Sequence, residues 1–126
     1  MVWSARLDPT QLRWTQFWVI ECQTRMIACG QLRSFAQAQE LGSLIVDPDW
    51  RGQGLGSYLT NHLIQRASEP LYLECLGQQL RQFYHQRGFD TVSWSALPAS
   101  LQRKFGLSQL AKTLVRLPIY FMKYQA

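Results

Sequence analysis

Gly52, Gly54 and Gly56 alternate along Arg51-Gly52-Gln53-Gly54-Leu55-Gly56, between a strand-like run and a helix-like one. Missing side chains let backbone curl there, so that successive N–H groups converge on an anion. A following helix adds the positive end of its dipole, and Arg51 adds a cationic donor. Ser57 is placed to cap that helix or to touch phosphate. This chemistry suits a diphosphate held without a dedicated lysine. A P-loop needs Gly-Lys-Ser/Thr, and no lysine precedes Lys104, which excludes that class. Glu74 lies 20 residues after Gly54, where a dinucleotide fold would place its ribose-binding acid. Against that fold, Leu59 stands at the third glycine position, and Asp47-Pro48-Asp49-Trp50-Arg51 intervenes where an immediate turn is required.

Other reactive side chains are poorly supported by their neighbours. His62 and His85 have no cysteine or carboxylate at metal-ligand spacing and read as half-exposed helix residues, so no metal is expected. Cys75 has no base placed by sequence to activate it as an acyl-accepting nucleophile. Gly56-Ser57-Tyr58-Leu59 lacks the second glycine of a hydrolase nucleophile elbow.

The elements that position the loop follow from periodicity. Gln16 to Glu21 and Met26 to Phe35 are rich in β-branched and aromatic residues around the polar Cys22-Gln23-Thr24-Arg25, and predict an antiparallel hairpin. A turn at Ala36 to Gln39 precedes a third strand, Glu40 to Val46, broken by Pro48. Leu55, Leu59 and Leu63 predict an amphipathic helix from Gly56 that fades near Ser68. Leu71 to Leu73 is a short strand. Leu76, Leu80 and Phe83 mark the buried side of a second helix, ended by Gly88-Phe89. A strand at Thr91 to Trp94, a helix after Pro98 with Leu101 and Phe105, and another capped by Ser108 with Leu110 and Leu114 come next. Ile119 to Met122 reads as the last strand. No repeat or linker interrupts the chain.

With 126 residues, 47% of them hydrophobic and only 17% charged, the chain has the composition of one packed domain, residues 1–126, and not of a disordered segment. The absence of a signal-like N-terminus or a membrane-spanning run predicts a cytoplasmic protein, monomeric or homodimeric. Cys22, Cys29 and Cys75 read as reduced, buried small hydrophobes. Residues 1–90 carry eight basic and eight acidic groups, whereas residues 91–126 carry five basic groups and no acid, so the net charge of +5 belongs to the tail. Arg103, Lys104, Lys112, Arg116 and Lys123 are too dispersed to form a block, which disfavours nucleic acid as partner.

Arg51-Gly52-Gln53-Gly54-Leu55-Gly56 after Leu44-Ile45-Val46-Asp47-Pro48 resembles the cofactor motif of the GNAT acetyltransferase superfamily, and Phe83-Tyr84-His85-Gln86-Arg87-Gly88-Phe89 resembles its second landmark. The resemblance implies an α/β (α+β) fold: a mixed, mostly antiparallel, splayed sheet flanked by helices. Only a short helical turn at Asp8 to Leu12 would stand where the family carries two helices. It implies acetyl-CoA as cofactor, without metal, and an amine acceptor, a small molecule or a protein amino group, attacking the thioester directly. Leu44, Ile45 and Val46 would offer main-chain groups to the pantetheine arm, and Arg51, Gly52, Gln53, Gly54, Leu55, Gly56 and Ser57 would take the pyrophosphate. Tyr84 stands at the family's acid position, where a phenol with an ordinary pKa near 10 is protonated at neutral pH. Glu40 resembles the position of a general base. Two further readings share these residues: a coenzyme A sensor without catalysis, and a nucleic-acid or membrane-surface adaptor working through the basic tail.

Overall fold

The computed structural model of the chain describes residues 2–4, 17–23 and 25–125. Among them are seven strands, β1 (Val2–Ser4), β2 (Phe17–Cys22), β3 (Arg25–Phe35), β4 (Ala38–Val46), β5 (Leu71–Leu76), β6 (Phe89–Val92) and β7 (Ile119–Tyr124). Four helices join them: α1 (Leu55–Arg66), α2 (Gln78–His85), α3 (Ala99–Lys104) and α4 (Gly106–Leu114). The strands form one mixed sheet in the order β1-β2-β3-β4-β5-β7-β6, the α/β architecture expected. Residues 8–12, where a helical turn is expected, lie outside the described residues. The chain packs as two compact units, residues 1–33 with 41–67, and residues 34–40 with 68–126.

In the first unit, β2 and β3 pair antiparallel from Phe17↔Gln31 to Cys22↔Arg25, with a bulge after Ile20. The hairpin expected from the apolar runs is therefore present, and Gln23 takes its turn at φ 52°. An additional strand, β1, pairs antiparallel with β2 through Trp3↔Ile20. Helix α1 buries Leu55, Leu59 and Leu63, the three leucines whose spacing predicted it. Its seat on the sheet depends on Gly30 in β3, where a Cβ would come within 2.8 Å of the Leu63 side chain and 3.3 Å of Leu44 and Leu59. Only hydrogen allows the helix to lie this close.

The second unit begins with the first residues of β4. Buried Gln39 clamps the segment before β5: its Oε1 accepts from the Ser68 and Glu69 N–H groups at 2.8 and 3.0 Å, and its own N–H donates to Pro70 O at 2.9 Å. These bonds set the parallel register Gln39↔Leu71 and Glu40↔Tyr72. Strands β5 and β7 pair antiparallel from Tyr72↔Lys123 to Leu76↔Ile119, and β6 joins the other side of β7.

Helices α3 and α4 fall between β6 and β7 and supply much of this unit's core. Ala38, Tyr72, Leu97, Leu101, Phe105, Ile119 and Phe121 form one buried cluster. Phe105 stacks on Phe121 with ring centroids 5.7 Å apart, and Trp94 packs on the same ring at 5.5 Å. Trp94 thus opens a 3-10 turn and packs, instead of ending strand β6 as its β-propensity suggested. Phe105→Ala is expected to cost about 3–5 kcal/mol, as a cavity beneath a stacked ring should. A urea midpoint shift of less than about 1 kcal/mol equivalent would mean that α3 is a surface addition rather than core.

Two expectations about helix faces are corrected. Leu76 is the exposed end of β5 and Leu80 is exposed on α2, whose buried residue is Tyr84. Leu110 and Leu114 of α4 are exposed, and the helix starts at Phe105 with no side-chain cap, so Ser108 does not begin it. Among the described residues no helix is long and apolar enough to cross a membrane.

Candidate functional site

The glycine loop is held at its start by Asp47. The Asp47 N–H donates to Ile27 O at 2.7 Å, tying the end of β4 to β3. Its carboxylate accepts from the Asp49 N–H at 2.9 Å, capping a 3-10 turn at Pro48–Trp50, and from Arg25 Nη2 at 2.7 Å. The Asp49 N–H, and then Arg25, hold the Asp47 carboxyl below the usual carboxylate range. The five residues that set this chain apart from a dinucleotide loop therefore form a structured ramp into the glycines.

Gly52 and Gly54 both adopt φ +80°, with no atom within 4 Å of where a Cβ would stand. Such backbone favours glycine, and the space beside it is open. Gly54 is the N-cap of α1 and makes no side-chain cap bond, and Tyr58 N–H is the first to bond back, to Gly54 O at 2.9 Å. The N–H groups of Leu55 and Gly56 precede it and lie too early in the helix for an intrahelical acceptor. Gly56 belongs to the first turn of α1, so it is not among the left-handed glycines. Ser57 is the third residue of α1, so the N-cap position itself belongs to Gly54. Arg51, Gly52, Gln53 and Gly54 are exposed. On the strand that feeds this loop, Leu41 is buried while Ile45 is 58% exposed, with Leu44 and Val46 between these extremes.

The proton-transfer candidates lie in the second unit. Glu40 sits inside β4 at 3% exposure, with Lys104 Nζ of α3 3.9 Å from its Oε1. A buried carboxylate requires such partners. Tyr84 is buried between Phe83 and Phe89, edge-to-face at 5.0 and 5.8 Å. Burial, and secondarily the Cys75 thiol, push its phenol up to about 12. Glu40 pairs with Tyr72, and Tyr72 and Cys75 are three apart on β5, hence on opposite faces of the strand. Glu40 therefore shares the α3 face, and the thiol beside Tyr84 occupies the other.

The remaining candidates behave as packing residues. Burial raises the Cys75 thiol to about 11, and its Sγ donates to Met122 Sδ at 3.9 Å, so it is a poor nucleophile at neutral pH. Cys29 is also buried, Cys22 is half-buried, and none of the three is in a disulfide. His62 packs edge-on against Trp18 at 5.1 Å, and burial lowers its pKa. His85 lies 3.3 Å from Asp90 on the surface. Among the described residues, no three His, Cys, Asp or Glu side chains gather as metal ligands.

This site can be set beside known proteins. Residues 13–91 match the acetyltransferase (GNAT) domain family. The chain belongs to that family. An amino-acid acetyltransferase of Aliivibrio fischeri is 31% identical over 104 residues, covering 79% of this chain and 23% of the relative. The N-acetylglutamate synthase of Neisseria gonorrhoeae, solved with coenzyme A and N-acetyl-glutamate, superposes with a TM-score of 0.68 at 22% identity, over 90% of this chain and 26% of that one. A Mycobacterium tuberculosis protein solved with CoA gives 0.69 at 19% identity, over 90% of this chain and 77% of that one. The chain thus spans about a quarter of the length of the curated relatives it matches. Of the candidate residues, Leu44 to Ser57 lie in the first unit, and Glu40 and Tyr84 in the second. Lys104, the partner of Glu40, carries no signal in the sequence, because it lies 64 residues away on a helix of unremarkable composition.

Proposed function

We propose that this domain is an acetyl-CoA-dependent N-acetyltransferase that transfers the acetyl group to an amine by direct attack, and that the amine belongs to an amino acid. The observation that carries the cofactor reading is the pair of left-handed glycines, Gly52 and Gly54, leading into an uncapped helix N-terminus beside exposed Arg51. The first-turn N–H groups of Leu55 and Gly56, a helix dipole and a guanidinium suit a diphosphate. Exposed Ile45 with Leu44 and Val46 suits a pantetheine arm laid along the end of β4. The acceptor class is supported by the amino-acid acetyltransferases among the relatives.

When bound, acetyl-CoA supplies the activated acyl group, and the protein's own groups handle protons. Glu40 accepts the proton that an ammonium acceptor must lose before attack. Tyr84 donates a hydrogen bond toward the departing sulfur. A phenol near 12 is a weaker acid than an ordinary thiol near 8.5, so it stabilises the thiolate by hydrogen bonding rather than by giving up its proton.

Acetyl-CoA and CoA at about 100 times their dissociation constant are expected to stabilise the fold by about 3 kcal/mol, with little effect from NAD or ATP. Thermal shift measures this, and thiol release against a panel of amino acids, polyamines and peptides names the acceptor. Equal shifts with NAD would refute the cofactor reading. Binding without thiol release on any amine would leave a CoA sensor in place of an enzyme.

A further inference from the structure

Half of the exposed large apolar side chains among the described residues fall within eleven residues of one another, from Leu107 to Leu117. Leu107, Leu110 and Leu114 are 84, 54 and 70% exposed and stand at i, i+3 and i+7 on α4, one face of the helix. Val115 and Leu117 continue the apolar surface past its end. The helix cannot turn this face inward, because Ala111 already packs on the buried cluster and Leu101 of α3 and Phe105, between α3 and α4, anchor the preceding turn. Exposed Arg103 and Arg116 bracket the stripe, and no acid occurs anywhere in residues 91–126. Lys104 is also exposed but lies 3.9 Å from Glu40, and Lys112 sits over the Phe121 ring.

A leucine stripe on a short helix with cations and no anions has the composition of an interfacial helix. We propose that α4 docks this domain on an anionic lipid surface, its leucines entering the acyl boundary while Arg103 and Arg116 meet the headgroups. Charge selects this occupant over a second copy of the chain, since two such faces would oppose cation to cation with no acid to relieve them. A protein groove could take the same i, i+3, i+7 leucines, and the test separates it, because such a partner would leave vesicle binding absent.

Flotation with vesicles tests the proposal. The whole chain is expected to float with phosphatidylcholine vesicles containing about 30 mol% phosphatidylglycerol and not with phosphatidylcholine alone, and to be released at about 0.5 M salt. Leu107→Ser with Leu114→Ser should weaken binding at least about tenfold, and Arg103→Gln with Arg116→Gln about 25-fold, near fivefold for each charge. All four residues are exposed, so both double variants should melt like the parent. Vesicle binding that the leucine pair leaves unchanged would overturn the proposal. So would failure of the parent to float, or a leucine-dependent dimer in sedimentation without vesicle binding, which would assign the face to a second copy.

Discussion

Gly54→Val is expected to abolish acetyl-CoA binding while leaving a folded protein. Gly54 holds φ +80° and ψ 9° at the N-cap of α1, a conformation that costs a β-branched residue on the order of 1–3 kcal/mol. A domain absorbs that much, because no neighbour lies within 4 Å of the new Cβ and no buried contact is lost. Binding does not absorb it. Either the loop relaxes to negative φ and swings the first-turn N–H groups off their common target, or it stays and the branched side chain fills the open space beside them. Misplacing several charge-assisted hydrogen bonds by about 1 Å is enough for a loss of ~10² or more. Acetyl-CoA at a concentration that saturates the parent should give the variant no thermal shift, with an unchanged circular dichroism spectrum. Gly54→Ala, without the branched Cβ, should fall between the two. Undiminished affinity in the valine variant would remove the loop from the cofactor site.

Tyr84→Phe is expected to keep acetyl-CoA affinity and to lower turnover by about 10², the range for loss of one well-placed donor to a developing anion. Phenylalanine retains the edge-to-face contacts with Phe83 and Phe89, so packing is not the variable. The pH profile separates the roles. Because burial raises the phenol to about 12, Tyr84 stays protonated throughout the neutral and mildly alkaline range. Its folded-state pKa lies above the unfolded value near 10, so its contribution to stability is complete below pH 10 and is lost as pH rises toward 12. Turnover of the parent should therefore show no falling limb from Tyr84 below about pH 11, and the variant should be slower by a constant factor across that range. A variant as fast as the parent would make Tyr84 a packing residue. An alkaline limb near pH 9 that disappears in the variant would mean that the phenol titrates in contact with solvent.

What the sequence determined by itself is what neighbouring residues encode. Leu55, Leu59 and Leu63 lie on one helical face whatever they pack against, and the β-branched runs around Gln23 pair as a hairpin because their turn is short. Three alternating glycines beside Arg51 signalled an anion loop, since positive φ is a local demand on residue type, and two of the three meet it. The tertiary structure decided the rest. Strand β1 has only three residues, too few for a periodic signal, and exists through its pairing with Val19 to Glu21. Helix α2 reads Gln-Gln-Leu-Arg-Gln-Phe-Tyr-His, and the arrival of Phe89 and Cys75, not its own pattern, made Tyr84 rather than Leu80 the buried residue. Glu40 became an enclosed carboxylate because α3 brought Lys104 and Phe105 against its side of the unit. The leucines of α4, which local hydrophobicity would bury, face solvent because Ala111 won the contact with the core. Periodicity states which residues share a face. Which face is covered depends on segments distant in sequence, and that information exists only once they have packed.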